Sequence, residues 1–229
     1  MQQTVQTLST KETYALFKGK TGHLKMNEGT EPVFRFSGDG TALFDPARPK
    51  VAILGTRTPS DVDVQVIKRL VAVLSENPSR PVILSGLAVG TDTAVHTAAL
   101  ACGVSTYAVM PCGLDMIYPS QNIELATLIQ KRGGGLLSCF PDGERPSATN
   151  FFHRAKAIAL MSDVLILPCA RRNGAAVVAA RFATSQGNPN VFAVAGPPDS
   201  VTHGGCNQLI RENIATIICS LEEFSRFHF

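Results

Sequence analysis

From Lys50 onward, short apolar runs alternate with segments of helical spacing, and that alternation leaves few folds open. The runs are Val51-Ala52-Ile53-Leu54, Val82-Ile83-Leu84, Thr106 to Met110, Leu136 to Phe140, Val164-Leu165-Ile166-Leu167 and Val191-Phe192-Ala193-Val194. They are near-continuous in apolar residues, which is how strands buried on both faces read. Helices are predicted between them over 60–76, 91–102, 122–132, 151–161 and 175–185. A short helix over 206–213 and a further strand and turn complete the chain. In the first helix Ser60 offers an N-cap with Asp63 three residues on, a capping box. Behind it Val66, Ile67, Leu70, Val73 and Leu74 recur on one face. The predicted fold is α/β, an open, mostly parallel sheet sandwiched by helices, Rossmann-like and extended, over residues 49–229.

Residues 1–48 read differently. They are polar, carry Gly22, Gly29, Gly38 and Gly40, and hold only short apolar pieces such as Val33-Phe34-Arg35-Phe36. The expectation is an irregular lead-in with one edge strand or hairpin around 32–44. The first dozen residues are expected to be mobile.

Composition bounds the class. With 229 residues, 45% hydrophobic and 17% charged, the chain has ample core for one large domain. A formal net charge of +3 permits a nucleic-acid partner without requiring one. The cysteines at 102, 112, 139, 169, 206 and 219 form no C-x-x-C pair and have no histidine at metal spacing. Scattered free thiols suit a reducing compartment, so a soluble cytoplasmic protein is expected, with no metal and no cofactor. No run approaches the length that spans a bilayer.

The chemistry gathers in the turns. Ser85-Gly86-Leu87-Ala88-Val89-Gly90-Thr91-Asp92 follows one predicted strand and opens a helix. That arrangement presents bare backbone N–H groups to an anion, although a tight strand–helix turn without a ligand reads the same way. Neither the dinucleotide fingerprint nor the Walker loop is present. In a parallel sheet ligands sit beyond the carboxyl ends of the strands. The turns at Gly55-Thr56-Arg57, Ser85 to Asp92, Cys112 to Pro119, Pro141 to Arg145 and Arg171 to Gly174 all fall there. Arg57, Arg145, Arg154, Lys156, Arg171 and Arg172 would stand in or near that edge, a basic rim suited to a phosphodiester backbone. Each residue has a plainer reading. Arg57, Arg171 and Arg172 read equally as hydrated loop charges, and Asp92 as a first-turn carboxylate favoured by the helix dipole. His96, four residues beyond Asp92, reads as a buried histidine bonded to it in preference to a catalytic base. Asp115 reads as an Asx-type turn, and Phe151 and Phe152 as core or as stacking platforms.

Several of these segments resemble the DNA-processing protein A family, also called DprA or Smf. VAILGTR at 51–57 is similar to its first strand and turn, and SGLAVGTDTAVH at 85–96 resembles its glycine-rich signature. CGLDMIYPSQN at 112–122, FFHRAKAIAL at 151–160, VFAVAG at 191–196 and Gly205 to Ile210 follow in the family's order. PVFRFSGD at 32–39 resembles its lead-in strand. The resemblance implies single-stranded DNA binding at the sheet edge, RecA as a partner during natural transformation, and a homodimer. It implies a phosphate-binding site made of Gly55, Thr56, Arg57, Ser85, Gly86, Leu87, Ala88, Gly90, Asp92, Gly113, Asn122, Arg154 and Lys156. It also implies that helical N-terminal and winged-helix-like C-terminal domains of many members are missing here.

Three departures bear on function. The family's R-N-R stands here as Arg154-Ala155-Lys156, which trades a guanidinium fork for an ammonium. Pro168 replaces the acidic residue after the fifth strand, and Asn173-Gly174-Ala175-Ala176 has lost the hydroxyls of the matching turn. No carboxylate stands in PCARRNGAAVVAA, so phosphoribohydrolase chemistry is not expected and the chain reads as a non-enzyme. The alternative reading is a sensor or carrier for a nucleotide or its derivative in the same crevice.

Overall fold

The computed structural model describes residues 4–17, 34–188 and 190–228. Its nine strands form one sheet in the order β1-β2-β6-β5-β4-β3-β7-β8-β9. The parallel body is β3 (Lys50–Ile53), β4 (Val82–Ser85), β5 (Thr106–Met110), β6 (Gly135–Ser138), β7 (Val164–Leu167), β8 (Val191–Ala193) and β9 (Thr216–Ile217). From β3 the chain steps outward through β4, β5 and β6, crosses back to lay β7 on the other side of β3, and steps outward again through β8 and β9, so β3 and β7 mark the topological switch point. The fold expected from the apolar runs is the one observed.

Alternation along the strands sends side chains to opposite layers. Ala52, Leu54, Leu84, Tyr107, Leu165 and Leu167 face a core shared with α6 (Ala148–Met161) and α7 (Ala175–Ser185). Val51, Ile53, Ile83, Val164 and Ile166 face α3 (Asp61–Ser75) and α4 (Thr91–Ala101). The α3 start is the predicted capping box: Ser60 N–H and Oγ–H both donate to Asp63 at 2.8 Å. A third cluster packs α5 (Ile123–Lys131) against β5 and β6. The final helix, α8, runs Gly204–Arg211, and a 3₁₀ turn at Leu221–Ser225 ends the chain as the expected turn.

The lead-in is more regular than its composition suggests. β1 (Gln6–Thr7) pairs with β2 (Arg35–Gly38), α1 covers Thr10–Leu16 and α2 covers Thr41–Phe44. Ser9 and Glu12 close a capping box that starts α1, and Leu16 and Phe17 are buried beyond it. Those polar residues are a helix signal that a search for apolar periodicity passes over. β2 is the strand expected around 32–44. It lies antiparallel between β6 and β1, so it is internal and not at the rim. Its Gly38 adopts φ +135° directly against the Gly134 carbonyl, a spot with no room for a Cβ. Gly22, Gly29 and Val33 lie outside the described residues.

Candidate nucleic-acid interface at the switch point

Where β3 and β7 diverge, the turns that follow them are stitched together by main-chain bonds. Thr56 N–H donates to the Cys169 carbonyl at 3.0 Å, and Thr91 N–H donates to the Thr56 carbonyl at 3.0 Å. Gly55 and Gly90 permit this closeness. A Cβ on Gly55 would stand 2.5 Å from the Cys169 carbonyl, and one on Gly90 would stand 2.5 Å from the Arg57 backbone. Gly90 is also at φ +87°, which L side chains rarely adopt.

A crevice of about 340 Å³ opens above this knot. Its floor is Gly55, Thr56 and Ala88, and its walls carry Arg57, Thr58, Phe151, Arg154 and Arg171. Phe151 anchors the charges, with the Arg57 guanidinium 4.5 Å and the Arg154 guanidinium 5.6 Å from its ring centroid. Tyr118 packs on the same ring at 5.9 Å between centroids. Arg171 donates to the Thr58 hydroxyl at 2.7 Å and closes the mouth on that side.

Arg154 is the unusual member. It is buried, its Nη1 stands 3.5 Å from Asp92 Oδ2, and its Nε has no hydrogen-bond partner among the described residues. Burial lowers its pKa, Asp92 opposes that shift, and the charge of Arg57 adds to it. Arginine stays protonated regardless. A desolvated cation with one distant carboxylate and an idle N–H is under-compensated, and an anion in the crevice would complete it.

Six of the residues expected at the site line this crevice: Gly55, Thr56, Arg57, Ala88, Asp92 and Arg154. Five others build its frame. Ser85 Oγ–H donates to the Ile53 carbonyl at 2.7 Å, Leu87 is wholly buried, and Asn122 donates to the Leu87 carbonyl at 2.7 Å and to Thr93 at 2.9 Å. Gly90 holds the Arg57 backbone, and Gly86 lies so close to the Arg154 guanidinium that a Cβ would overlap it. Two expected residues lie elsewhere. Gly113 N–H donates to the Glu144 carbonyl at 3.0 Å and braces the loops after β5 and β6. Lys156 leans over Phe182 of α7, its Nζ 5.4 Å from the ring centroid.

His96 is buried as expected but does not bond Asp92. Its Nε2 meets the Gly86 carbonyl at 2.5 Å and its Nδ1 meets the Thr106 hydroxyl at 2.8 Å. The carbonyl can only accept, so Nε2 carries the proton. Asp92 instead accepts from Ala88 N–H at 3.2 Å, which fixes the glycine-rich turn. Asp115 accepts from Gly143 N–H at 3.0 Å and closes no Asx turn of its own. The lining also includes Thr58 and Ala148, not named as site residues from the sequence, and Ala175 and Ala176 of the turn that has lost its hydroxyls. Small residues at the amino ends of α6 and α7 were the available signal. Among the described residues no group of three or more His, Cys, Asp or Glu could hold a metal, and no helix is long and apolar enough to cross a membrane.

The family model for DNA recombination-mediator protein A matches residues 23–228. The chain belongs to that family. It is 34% identical over 170 residues to Protein Smf of Synechocystis, covering 74% of this chain and 42% of that protein. It is 34% identical over 182 residues to DNA processing protein DprA of Streptococcus pneumoniae, covering 79% of this chain and 62% of that protein. The chain therefore spans less than two thirds of the length of these curated relatives. Among solved structures, DNA processing protein A of Helicobacter pylori, described for its single-stranded DNA binding mode, is 27% identical. That structure superposes with a TM-score of 0.80 over 98% of this chain and 96% of its own. The Streptococcus pneumoniae DprA crystal structure, 29% identical, gives 0.79 over 99% of this chain and 76% of its own. A molybdenum cofactor binding protein from Rippkaea orientalis, 14% identical at a TM-score of 0.53, shares the fold alone. The DprA/Smf resemblance of the sequence is thus confirmed by family model, relatives and fold.

Proposed function

We propose that this family member binds single-stranded DNA without sequence preference in the crevice beside β3 and β7, and acts as a recombination mediator and not as an enzyme. The observation that carries this reading is the buried, under-compensated Arg154 beside Arg57 on the face of Phe151. Guanidinium groups neutralise phosphates, turn amides donate to phosphate oxygens, and an aromatic face stacks a base of any identity. Three arginines stand against one carboxylate in the lining, so the crevice favours an anion. Its side chains include no histidine, cysteine or lysine, and its one carboxylate, Asp92, is engaged by Arg154 and Ala88 N–H. The DNA-binding mode for which the Helicobacter pylori relative is described supports the polymer over a small metabolite. RecA as the downstream partner, and a homodimer as the working state, belong to the same proposal.

The test is fluorescence polarisation with a labelled oligothymidylate at two salt concentrations. The two phosphate contacts of the crevice, at Arg57 and Arg154, contribute about −1.4 to the slope of log K against log salt. Arg57→Ala should weaken binding by roughly tenfold and flatten that slope by about 0.7. Absence of wild-type binding at low salt, or an Arg57→Ala variant that binds like wild type, overturns the assignment. A free mononucleotide that competes as well as the oligonucleotide favours the sensor reading.

A further inference from the structure

A second chamber of about 580 Å³ adjoins the crevice, and the two share Arg171 and Gly174 in their walls. Its other lining includes Arg172, Ser200, Val201 and Gly204. It lies between the turn after β7 and the loop from β8 to α8. We propose that a bound strand runs from the crevice across Arg171 into this chamber, where Arg172 holds the next backbone phosphate. The inference rests on the single-stranded DNA reading above and extends its site.

Arg172 is a charge placed where elementary electrostatics does not favour one. Arg172 lies along the amino end of α8: a Cβ on Gly204 would be 3.2 Å from its Cγ and 3.3 Å from its Nε. It also stands two residues ahead of Gly174, the N-cap of α7. Neither helix has a side-chain cap; Gly205 N–H donates to the Ala170 carbonyl at 2.8 Å and Val177 N–H to the Gly174 carbonyl at 3.0 Å, and both helices keep the positive end of their dipoles toward the chamber. A guanidinium beside two such ends is repelled by both. Arg172 has no ion-pair partner among the described residues that would offset this. A phosphate between the guanidinium and the helix ends replaces both repulsions by attractions, with a charge-assisted hydrogen bond from Arg172.

A crevice of about 340 Å³ has room for little more than one nucleotide unit, so a polymer has to leave it. The shared wall at Arg171 and Gly174 is a basic exit, and Arg171 is already oriented by the Thr58 hydroxyl. Asp199, on the exposed side of the chamber, opposes an anion there and gives the test a second handle. The loop from β8 to α8 is held independently: His203 Nε2 lies 3.1 Å from Asp63, which ties the loop to the start of α3.

The experiment measures affinities of thymidine monophosphate, (dT)2, (dT)4 and (dT)8 for wild type, Arg172→Ala and Asp199→Asn at two salt concentrations. Wild type should gain affinity from the monophosphate to (dT)4. Arg172→Ala should bind the monophosphate as wild type does, lose roughly tenfold on (dT)8, and flatten the salt slope by about 0.7. Asp199→Asn should bind (dT)8 more tightly. Both substitutions are at exposed positions, so folding is retained and is checked by circular dichroism. An Arg172→Ala variant with wild-type affinity and slope on (dT)8 overturns the second subsite while leaving the crevice intact. Equal losses on monophosphate and (dT)8 also overturn it, since Arg172 would then act within the first site. If wild type binds none of the four, the DNA reading itself fails and takes this inference with it.

Discussion

Removing the counter-ion of Arg154 tests the electrostatic logic of the crevice most directly. Asp92→Asn preserves shape and leaves a side-chain oxygen to accept from Ala88 N–H, but deletes the carboxylate 3.5 Å from the Arg154 guanidinium. Coulomb's law at that separation and an effective dielectric of about 20 gives an attraction of about 5 kcal/mol. Loss of one partner from a buried pair typically costs about 3–5 kcal/mol, because the survivor remains desolvated. With a urea slope of about 2–3 kcal/mol per molar, the unfolding midpoint should fall by about 1–2 M. The chain has no tryptophan, so far-UV circular dichroism is the natural readout. Asp92→Asn/Arg154→Met removes both charges and should recover about 2 kcal/mol or more relative to Asp92→Asn alone. The same Asp92→Asn protein should bind an oligonucleotide more tightly than wild type, since phosphate becomes the counter-ion that asparagine cannot be. A midpoint unchanged in Asp92→Asn, or a double variant whose loss equals the sum of the single losses, would refute the claim that Arg154 is under-compensated.

Two further outcomes follow from the same geometry. Gly86→Ala places a methyl group onto the Arg154 guanidinium and the Asp92 carboxylate, an overpacking that costs about 1–3 kcal/mol. It should lower the melting temperature by roughly 5 °C and weaken oligonucleotide binding, and a variant that melts and binds as wild type does would sink this view of the turn. Burial lowers the pKa of His96, so the unfolded chain, near 6.5, takes up the proton more readily than the folded one. Its share of stability is therefore complete above about pH 6.5 and declines as the pH falls below that value. Urea midpoints at pH 7.5 and 5.5 should separate in wild type and draw together in His96→Gln. His153, lowered by burial and by Lys156, moves in the same direction, so a gap unaltered by His96→Gln assigns the effect to His153.

The sheet and its helices were legible because their signals are local and repeated. Apolar runs marked β3 to β8 within a residue or two at each end, and the Ser60–Asp63 box placed the start of α3. The turns that form the crevice were legible because their glycines and arginines stand at the carboxyl ends of strands. What misled was reading proximity in sequence as proximity in space. Arg154 and Lys156 are two apart, which on an α-helix puts them about 200° apart around the axis. One therefore enters the crevice, and the other lies over Phe182. Phe151, three residues before Arg154, shares its face and becomes the platform. His96 and Asp92 are four apart and could have met, but tertiary contacts claimed each first: the Gly86 carbonyl took one and Arg154 the other. Gly113 and Asn122 belong to motif segments, yet their contacts are with other loops, which no pattern along one chain displays.

The strands at the two margins of the sheet, β1 and β9, are two residues each. So short a margin offers a neighbouring molecule almost no free ladder to extend. Copies of this protein are thereby kept from joining end to end into ribbons. Any pairing between them has to be negotiated across helices and loops, where side-chain identity decides who fits.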